Sequence, residues 1–144
     1  MAVRGYRGKY VPRNPHKYIG NPMNITYRST WELRFMQFCD LNENVLQWGS
    51  EEIKIPYMKP TDSRVHSYIP DFIMKYKDKA GNERIEMIEI KPMKQSVITK
   101  KSSTADKIDV IINEAKWRSA QEFCARRGMG FRVLTEKELF KHGK

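Results

Sequence analysis

Trp31, Phe35 and Phe38, joined by Met36 and Cys39, recur at helical spacing in a stretch whose other positions are largely polar. An apolar stripe of that period marks a helix with one face turned to a core. Ser29 followed by Glu32 is a capping-box pattern, so the helix is expected over Thr30–Leu41, with Asn42-Glu43-Asn44 ending it. The period then changes to two. Ile53, Ile55 and Tyr57 share one face of Glu51–Tyr57, with Glu52 and Lys54 on the other, as in a half-buried strand. Pro60-Thr61-Asp62-Ser63 reads as a turn, and a second strand is expected from Val65 to Tyr76. Asp78–Asn82, with Gly81 near its end, makes a hairpin connection to a third strand, Glu83–Lys91. Pro92 cannot donate to a ladder and stops that strand.

Lys94–Thr104 is polar and basic, as an exposed loop would be. Ala105–Gly128 has helical character. Its first apolar set (Ile108, Ile111, Ile112, Ala115) does not run in register into Trp117, Ala120, Phe123 and Cys124, which predicts a break near Asn113. Gly128 and Gly130 bracket the helix stop. Phe131–Leu134 is a short strand, and Thr135 with Glu138 forms a second capping box that opens a terminal helix. The order helix, three strands, helix, strand, helix predicts an α/β fold, a mixed β-sheet flanked by helices. Neither internal repeats nor a second domain is visible. The chain divides into a basic N-terminal arm, residues 1–28, and one domain, residues 29–144.

Charge narrows the function classes. With 144 residues the chain can bury a real core, and its net charge of +10 favours a polyanionic partner. Nucleic acid comes first and an anionic membrane surface second. No apolar run approaches the ~18 residues of a membrane span, and Met1–Gly20 has no apolar signal segment. Cys39 and Cys124 are too few for a disulfide framework and lack zinc-site spacing. The expectation is a soluble protein of a reducing cytoplasm. No acidic residue precedes Glu32, whereas Arg4, Arg7, Lys9, Arg13, Lys17 and Arg28 do, interleaved with Tyr6, Tyr10, Tyr18 and Tyr27. This composition reads as an extended arm with little core of its own. Two readings fit it: a solvated tail, or an arm that docks on phosphates or on a partner protein.

The candidate chemistry lies on the second and third strands. Proline inside a strand is confined to edges, ends or bulges, so Pro70-Asp71 marks an irregular point. Asp71 shares strand parity with Ile69 and Ile73, against Phe72, Met74 and Tyr76. Glu89 and Lys91 project from one face, away from Ile88 and Ile90, with Cα atoms roughly 6.5–7 Å apart. Asp71 stands 18 residues before Glu89, one hairpin away. Carboxylates on neighbouring strands repel unless a cation lies between them, and an all-oxygen site suits a hard ion, Mg²⁺ or Mn²⁺. A lysine beside that ion can position a water and offset charge on a phosphate, which equips the site for phosphodiester hydrolysis. Each residue alone has an ordinary explanation: a surface pair for Glu89 and Lys91, a strand-end aspartate for Asp71, a helix cap for Glu32. Their conjunction in a strongly basic chain carries the reading. Other chemistries fit poorly: His16, His66 and His142 are scattered, and no glycine-rich loop has P-loop spacing. Trp31, Trp48, Trp117 and Cys39 read as core.

Pro70-Asp71 followed by Glu89-Ile90-Lys91 resembles the PD-(D/E)xK pattern of restriction-endonuclease-like nucleases. In that superfamily a glutamate of the first core helix often joins the metal site, and Glu32 is the matching position. On a wider view the chain is similar to the head completion nucleases of T-even-like tailed phages. Lys9-Tyr10-Val11-Pro12, Ile25-Thr26-Tyr27-Arg28-Ser29, Trp48-Gly49-Ser50-Glu51, Ile55-Pro56-Tyr57, Ile88-Glu89-Ile90-Lys91-Pro92 and Phe131-Arg132-Val133-Leu134-Thr135-Glu136 carry that likeness. Its middle also resembles the endonuclease subunit of heteromeric transposases.

The resemblance implies an endonuclease of double-stranded DNA, working at the portal or head–tail connector in the virion neck and in the host cytoplasm during assembly. Asp71 and Glu89, with the Ile90 carbonyl and Glu32, would hold the metal, and Lys91 would orient the attacking water. The basic arm residues, with Lys94, Lys100 and Lys101, would grip phosphates, which gives affinity without sequence reading. Two alternatives stay open: a non-enzymatic neck protein that keeps the fold to bind portal and DNA, and a junction-resolving or repair nuclease.

Overall fold

The computed structural model describes residues 7–141. The Ser29 hydroxyl accepts the Glu32 N–H at 3.1 Å, and helix α1 runs Thr30–Leu41 as its stripe requires. Upstream, β1 (Gly8–Lys9) and β2 (Thr26–Tyr27) pair antiparallel. Downstream come β3 (Val45–Ser50), β4 (Ile55–Lys59), β5 (Arg64–Tyr68), β6 (Phe72–Lys77) and β7 (Glu83–Ile90). Helix α2 (Thr104–Ala125), β8 (Gly130–Leu134) and helix α3 (Glu136–Lys141) complete the order.

The central sheet has the order β3-β6-β7-β8. β6 is antiparallel to both β3 and β7, while β8 is parallel to β7 because α2 carries the chain back between them. The fold is therefore α/β with a mixed sheet flanked by helices, a restriction-endonuclease-like architecture. Strand alternation sorts the side chains into two cores. Phe72, Met74, Ile88, Ile90 and Leu134 pack with Trp31, Phe35, Met36 and Cys39 of α1. Met87, with Ile73 and Phe131, packs on the other face with Ala120 and Cys124 of α2. That second core also takes Ile55, Tyr57 and Tyr68 from β4 and β5, which form a separate ribbon. Gly128, at φ 69°, turns the chain after α2 as the helix stop requires, and Met129 N–H closes on the Cys124 carbonyl at 2.9 Å.

Several elements differ from the expected ones. β3 was not anticipated: its burial does not alternate, and its register slips between Val45 and Gln47, so no period of two survives. Glu51, expected in a strand, turns with φ 56° and separates β3 from β4. The expected strand Val65–Tyr76 is two strands, divided at Ile69-Pro70-Asp71, where proline has no N–H for a ladder. Lys94–Thr104 is largely exposed as expected, although a 3₁₀ turn at Met93–Gln95 enters it. Helix α2 is unbroken at Asn113. The buried Asn113 amide donates to the Gln95 carbonyl at 3.1 Å, so the polar gap in the stripe faces that turn rather than water.

The N-terminal stretch departs furthest from expectation. Tyr18 and Ile25 are buried in the α1-side core, and Tyr10 packs against it. The Tyr18 ring meets Trp48 edge-on at 4.7 Å between centroids. The wholly buried Asp40 of α1 anchors the segment. Its Oδ2 accepts the Tyr10 hydroxyl at 2.6 Å and the Arg13 N–H at 2.8 Å; its Oδ1 accepts the Asn14 N–H at 3.0 Å. Asn14 Nδ2 donates to the Asp40 carbonyl at 2.8 Å. Residues 7–28 are thus a strap that supplies core, not an extended arm without one. Its anchoring groups are tyrosines and main-chain amides, which follow no period and leave no apolar stripe. Arg4 and Tyr6 lie outside the described residues.

Candidate active site

Phe72 pairs with Ile88, and one further step in that register sets Asp71 opposite Glu89. The side chain of Asp71 takes over where the ladder stops. Its Oδ2 accepts the Ile90 N–H at 2.8 Å, while its own N–H donates to Glu89 Oε1 at 3.3 Å. The Asp71 carbonyl accepts the Glu51 N–H at 3.0 Å, tying the site to the left-handed turn after β3. Glu89 is buried, 6% exposed. Its Oε1 also accepts the Tyr68 hydroxyl at 2.8 Å, and its Oε2 lies 3.4 Å from Lys91 Nζ. Lys91 follows Glu89 by two residues, which returns it to the same face of the strand.

The charges in this corner disturb one another. Burial raises the Asp71 carboxyl well above its ordinary value; the charge of Glu89 adds to this, and the Ile90 N–H and Lys91 only partly oppose it. Glu32 is raised by burial first, with the Arg28 N–H opposing and Glu51 adding. Burial lifts Tyr68 and the Glu89 charge lifts it further. Lys116 of α2 is lowered by burial, then by the positive charge of Lys91, against the pull of Glu89. A carboxyl pushed up by burial and by a neighbouring carboxylate is short of positive charge, and such groups concentrate at functional sites. Among the described residues, no three His, Cys, Asp or Glu side chains converge tightly enough to hold a metal by themselves. The facing pair Asp71 and Glu89 suits a cation that takes one or two protein carboxylates and completes its shell with water and substrate oxygens.

Of the expected residues, Asp71, Glu89 and Lys91 come together. Glu32 lies at the edge of the group: its Oε1 accepts the Arg28 N–H at 3.0 Å, and its charge reaches both Asp71 and Glu89. Arg7, Lys9, Arg13, Lys94, Lys100 and Lys101 are exposed. Arg28 is exposed but ion-paired with Glu51. Lys17 departs from its expected role as a phosphate contact. It is buried, and its Nζ donates to the carbonyls of Asp40 at 3.0 Å and Asn42 at 2.9 Å, so it is committed to closing α1. Arg4 lies outside the described residues. A groove of about 590 Å³ opens on the α1 side between Phe35, Phe38, Met74 and Leu139, and none of the candidate residues lines it.

Sequence reasoning missed Tyr68 and Lys116. In one continuous strand Val65–Tyr76, Tyr68 would share the face of Phe72; the interruption at Pro70 turns it to the α2 side instead. Lys116 carries no local signal, because its neighbours Tyr57 and Tyr68 come from other elements.

Residues 42–136 match the family described as TnsA-like endonuclease N terminal. The chain is also 38% identical over 144 residues to the head completion nuclease of Enterobacteria phage T4, with 93% of each chain covered. Both relatives are nucleases, which supports enzymatic activity here, and among the described residues no helix is long and apolar enough to cross a membrane. With the mixed sheet, the facing carboxylates and a relative matched over nearly its whole length, the chain belongs to the head completion nucleases of T4-like phages, with an endonuclease domain related to the PD-(D/E)xK group.

Proposed function

We propose that this chain is a metal-dependent DNA endonuclease that hydrolyses phosphodiester bonds during phage head completion, at the head–tail connector. The observation that carries this reading is the meeting of Asp71 and Glu89 across β6 and β7, with Lys91 Nζ 3.4 Å from Glu89 Oε2. Mg²⁺ or Mn²⁺, when bound, polarises a phosphate oxygen and makes a coordinated water more acidic. Asp71 and Glu89 would hold the ion, the Ile90 carbonyl would add an oxygen, and Glu32 would add negative charge beside it. Lys91 orients the attacking water and offsets charge growing on the phosphate. Tyr68, through its bond to Glu89 Oε1, fixes which carboxylate oxygen is left to face outward. Arg7, Lys9, Arg13, Lys94, Lys100 and Lys101 hold double-stranded DNA by its phosphates, so cutting has little sequence preference. Partner surfaces are the portal or connector proteins, and the working locations are the virion neck and the host cytoplasm during assembly.

Nicking of supercoiled plasmid tests this reading. Wild type cuts with Mg²⁺ and stops with EDTA, and Lys91→Ala or Asp71→Ala lowers the rate by about 100-fold or more. Equal cutting by wild type and these variants overturns the site. A full-length protein that fails to cut under every divalent ion tried would instead be a neck protein that keeps the fold without the chemistry.

A further inference from the structure

Lys116 extends from α2 toward the β4–β5 ribbon. Its Nζ lies 5.8 Å from the centroid of Tyr57 and 5.7 Å from that of Tyr68, and both rings are buried. The Tyr68 hydroxyl in turn donates to Glu89 Oε1 at 2.8 Å. One ring therefore separates the ammonium from the carboxylate of the site. Aromatic faces attract a cation through their quadrupole but carry no formal charge, so they fix an ammonium without neutralising it. Among the described residues Lys116 makes no ion pair, in contrast to Lys75 with Glu83 and Lys91 with Glu89. Lys91, just past β7, and Lys59, at the end of β4, both repel it, while Glu89 and Asp109 attract it without pairing with it. The charges of Lys91 and Lys59, from two other parts of the chain, thus reach Lys116, and an incoming anion relieves that repulsion.

We propose that Lys116 is a phosphate-binding residue of the active site, held by the Tyr57 and Tyr68 rings to contact a DNA phosphate beside the Asp71–Glu89 pair. The inference rests on the nuclease reading. The chemistry asks for a full charge kept available, and two aromatic faces supply that where a carboxylate partner would cancel it. A purely packing role for the lysine stem predicts a different result, because it needs no charge at the tip.

The discriminating measurement is the salt dependence of duplex binding, read by fluorescence anisotropy in EDTA so that nothing is cut. Each phosphate neutralised by a protein cation contributes about 0.9 to the slope of log K against log salt. Lys116→Met and Lys116→Gln are expected to flatten the slope by about that amount and to weaken binding several-fold at low salt. Lys116→Arg, which keeps charge and stacking, restores both. In plasmid nicking the neutral variants raise KM more than they lower kcat. Thermal melts of all variants show which are folded, and the glutamine variant covers the case in which methionine disturbs packing. If wild type binds and cuts while the folded neutral variants keep the full slope, the Lys116 proposal is overturned and the nuclease reading stands. If wild type neither binds duplex nor cuts plasmid, both fall together.

Discussion

Replacing Asp40 by asparagine tests whether the N-terminal strap is structural. The carboxylate accepts three donors: the Tyr10 hydroxyl and Arg13 N–H on Oδ2, and the Asn14 N–H on Oδ1. Asparagine has the same shape but one acceptor oxygen. Turned its best way, it keeps Tyr10 and Arg13 on that oxygen and sets its amide hydrogens against the Asn14 N–H. The half-buried Asn14 N–H then loses its partner, at about 1–3 kcal/mol, and the two bonds that remain lose the strength lent by the ionised oxygen. The expected loss is about 2–4 kcal/mol, or roughly 6–12 °C in Tm for a chain of this size. Alanine orphans all three donors and should cost about 3–5 kcal/mol. Circular dichroism melts read the change. Limited trypsin digestion locates it, with faster cleavage after Arg13 in the variant. The pH dependence follows from the same contacts. Burial pushes the Asp40 carboxyl up, but the bonds from Tyr10, Arg13 and Asn14 outweigh it and hold the group below its ordinary value. A carboxyl depressed by folding stabilises above its unfolded pKa, near 3.9, and loses that contribution as pH falls through the folded value. The asparagine variant should therefore show a flatter loss of stability below about pH 4 than wild type does. An Asp40→Asn protein that melts within about 1 °C of wild type would refute the anchoring argument, because no relaxation of a fully buried site restores a missing acceptor.

Two further predictions concern the site and the ribbon beside it. Tyr68→Phe removes the hydroxyl that donates to Glu89 Oε1 but keeps the ring, so initial nicking rates should fall about 10-fold while Tm changes little; an unchanged rate would remove Tyr68 from the site. Ser63, exposed in the turn between β4 and β5, has φ 57°. Ser63→Gly should raise stability by about 0.5–1 kcal/mol in denaturant melts with nicking unaltered, and a destabilised variant would contradict the strain argument.

The strap also limits how its role can be examined. Deleting residues 1–27 removes Tyr18 and Ile25 from the core and Tyr10 from Asp40, so such a deletion perturbs folding as well as any docking surface. Point changes at exposed Arg7, Lys9 and Arg13 separate the two, since those side chains lie outside the core.

Local rules decided much of this protein. The apolar stripe and Ser29 cap bound α1, the second capping box opens α3, and Pro92 ends β7, because each depends on residues within one or two turns of chain. The facing of Asp71 and Glu89 was legible for the same reason: strand parity and a single hairpin connect them, and alternation over a few residues admits one arrangement. Long-range packing decided the rest. The split at Pro70 sends β5 to a separate ribbon and turns Tyr68 onto Glu89, a choice made by where two sheets find partners. The slipped register of β3 and the buried Asn113 of α2 erase the periods that would have announced them. Asp40 looked like an ordinary polar position near the end of a helix until three donors from 26 to 30 residues away closed on it. Lys116 is one of 27 basic residues by sequence. Only the fold, by setting two tyrosines from a distant ribbon beneath it, gives that charge a place next to the carboxylates.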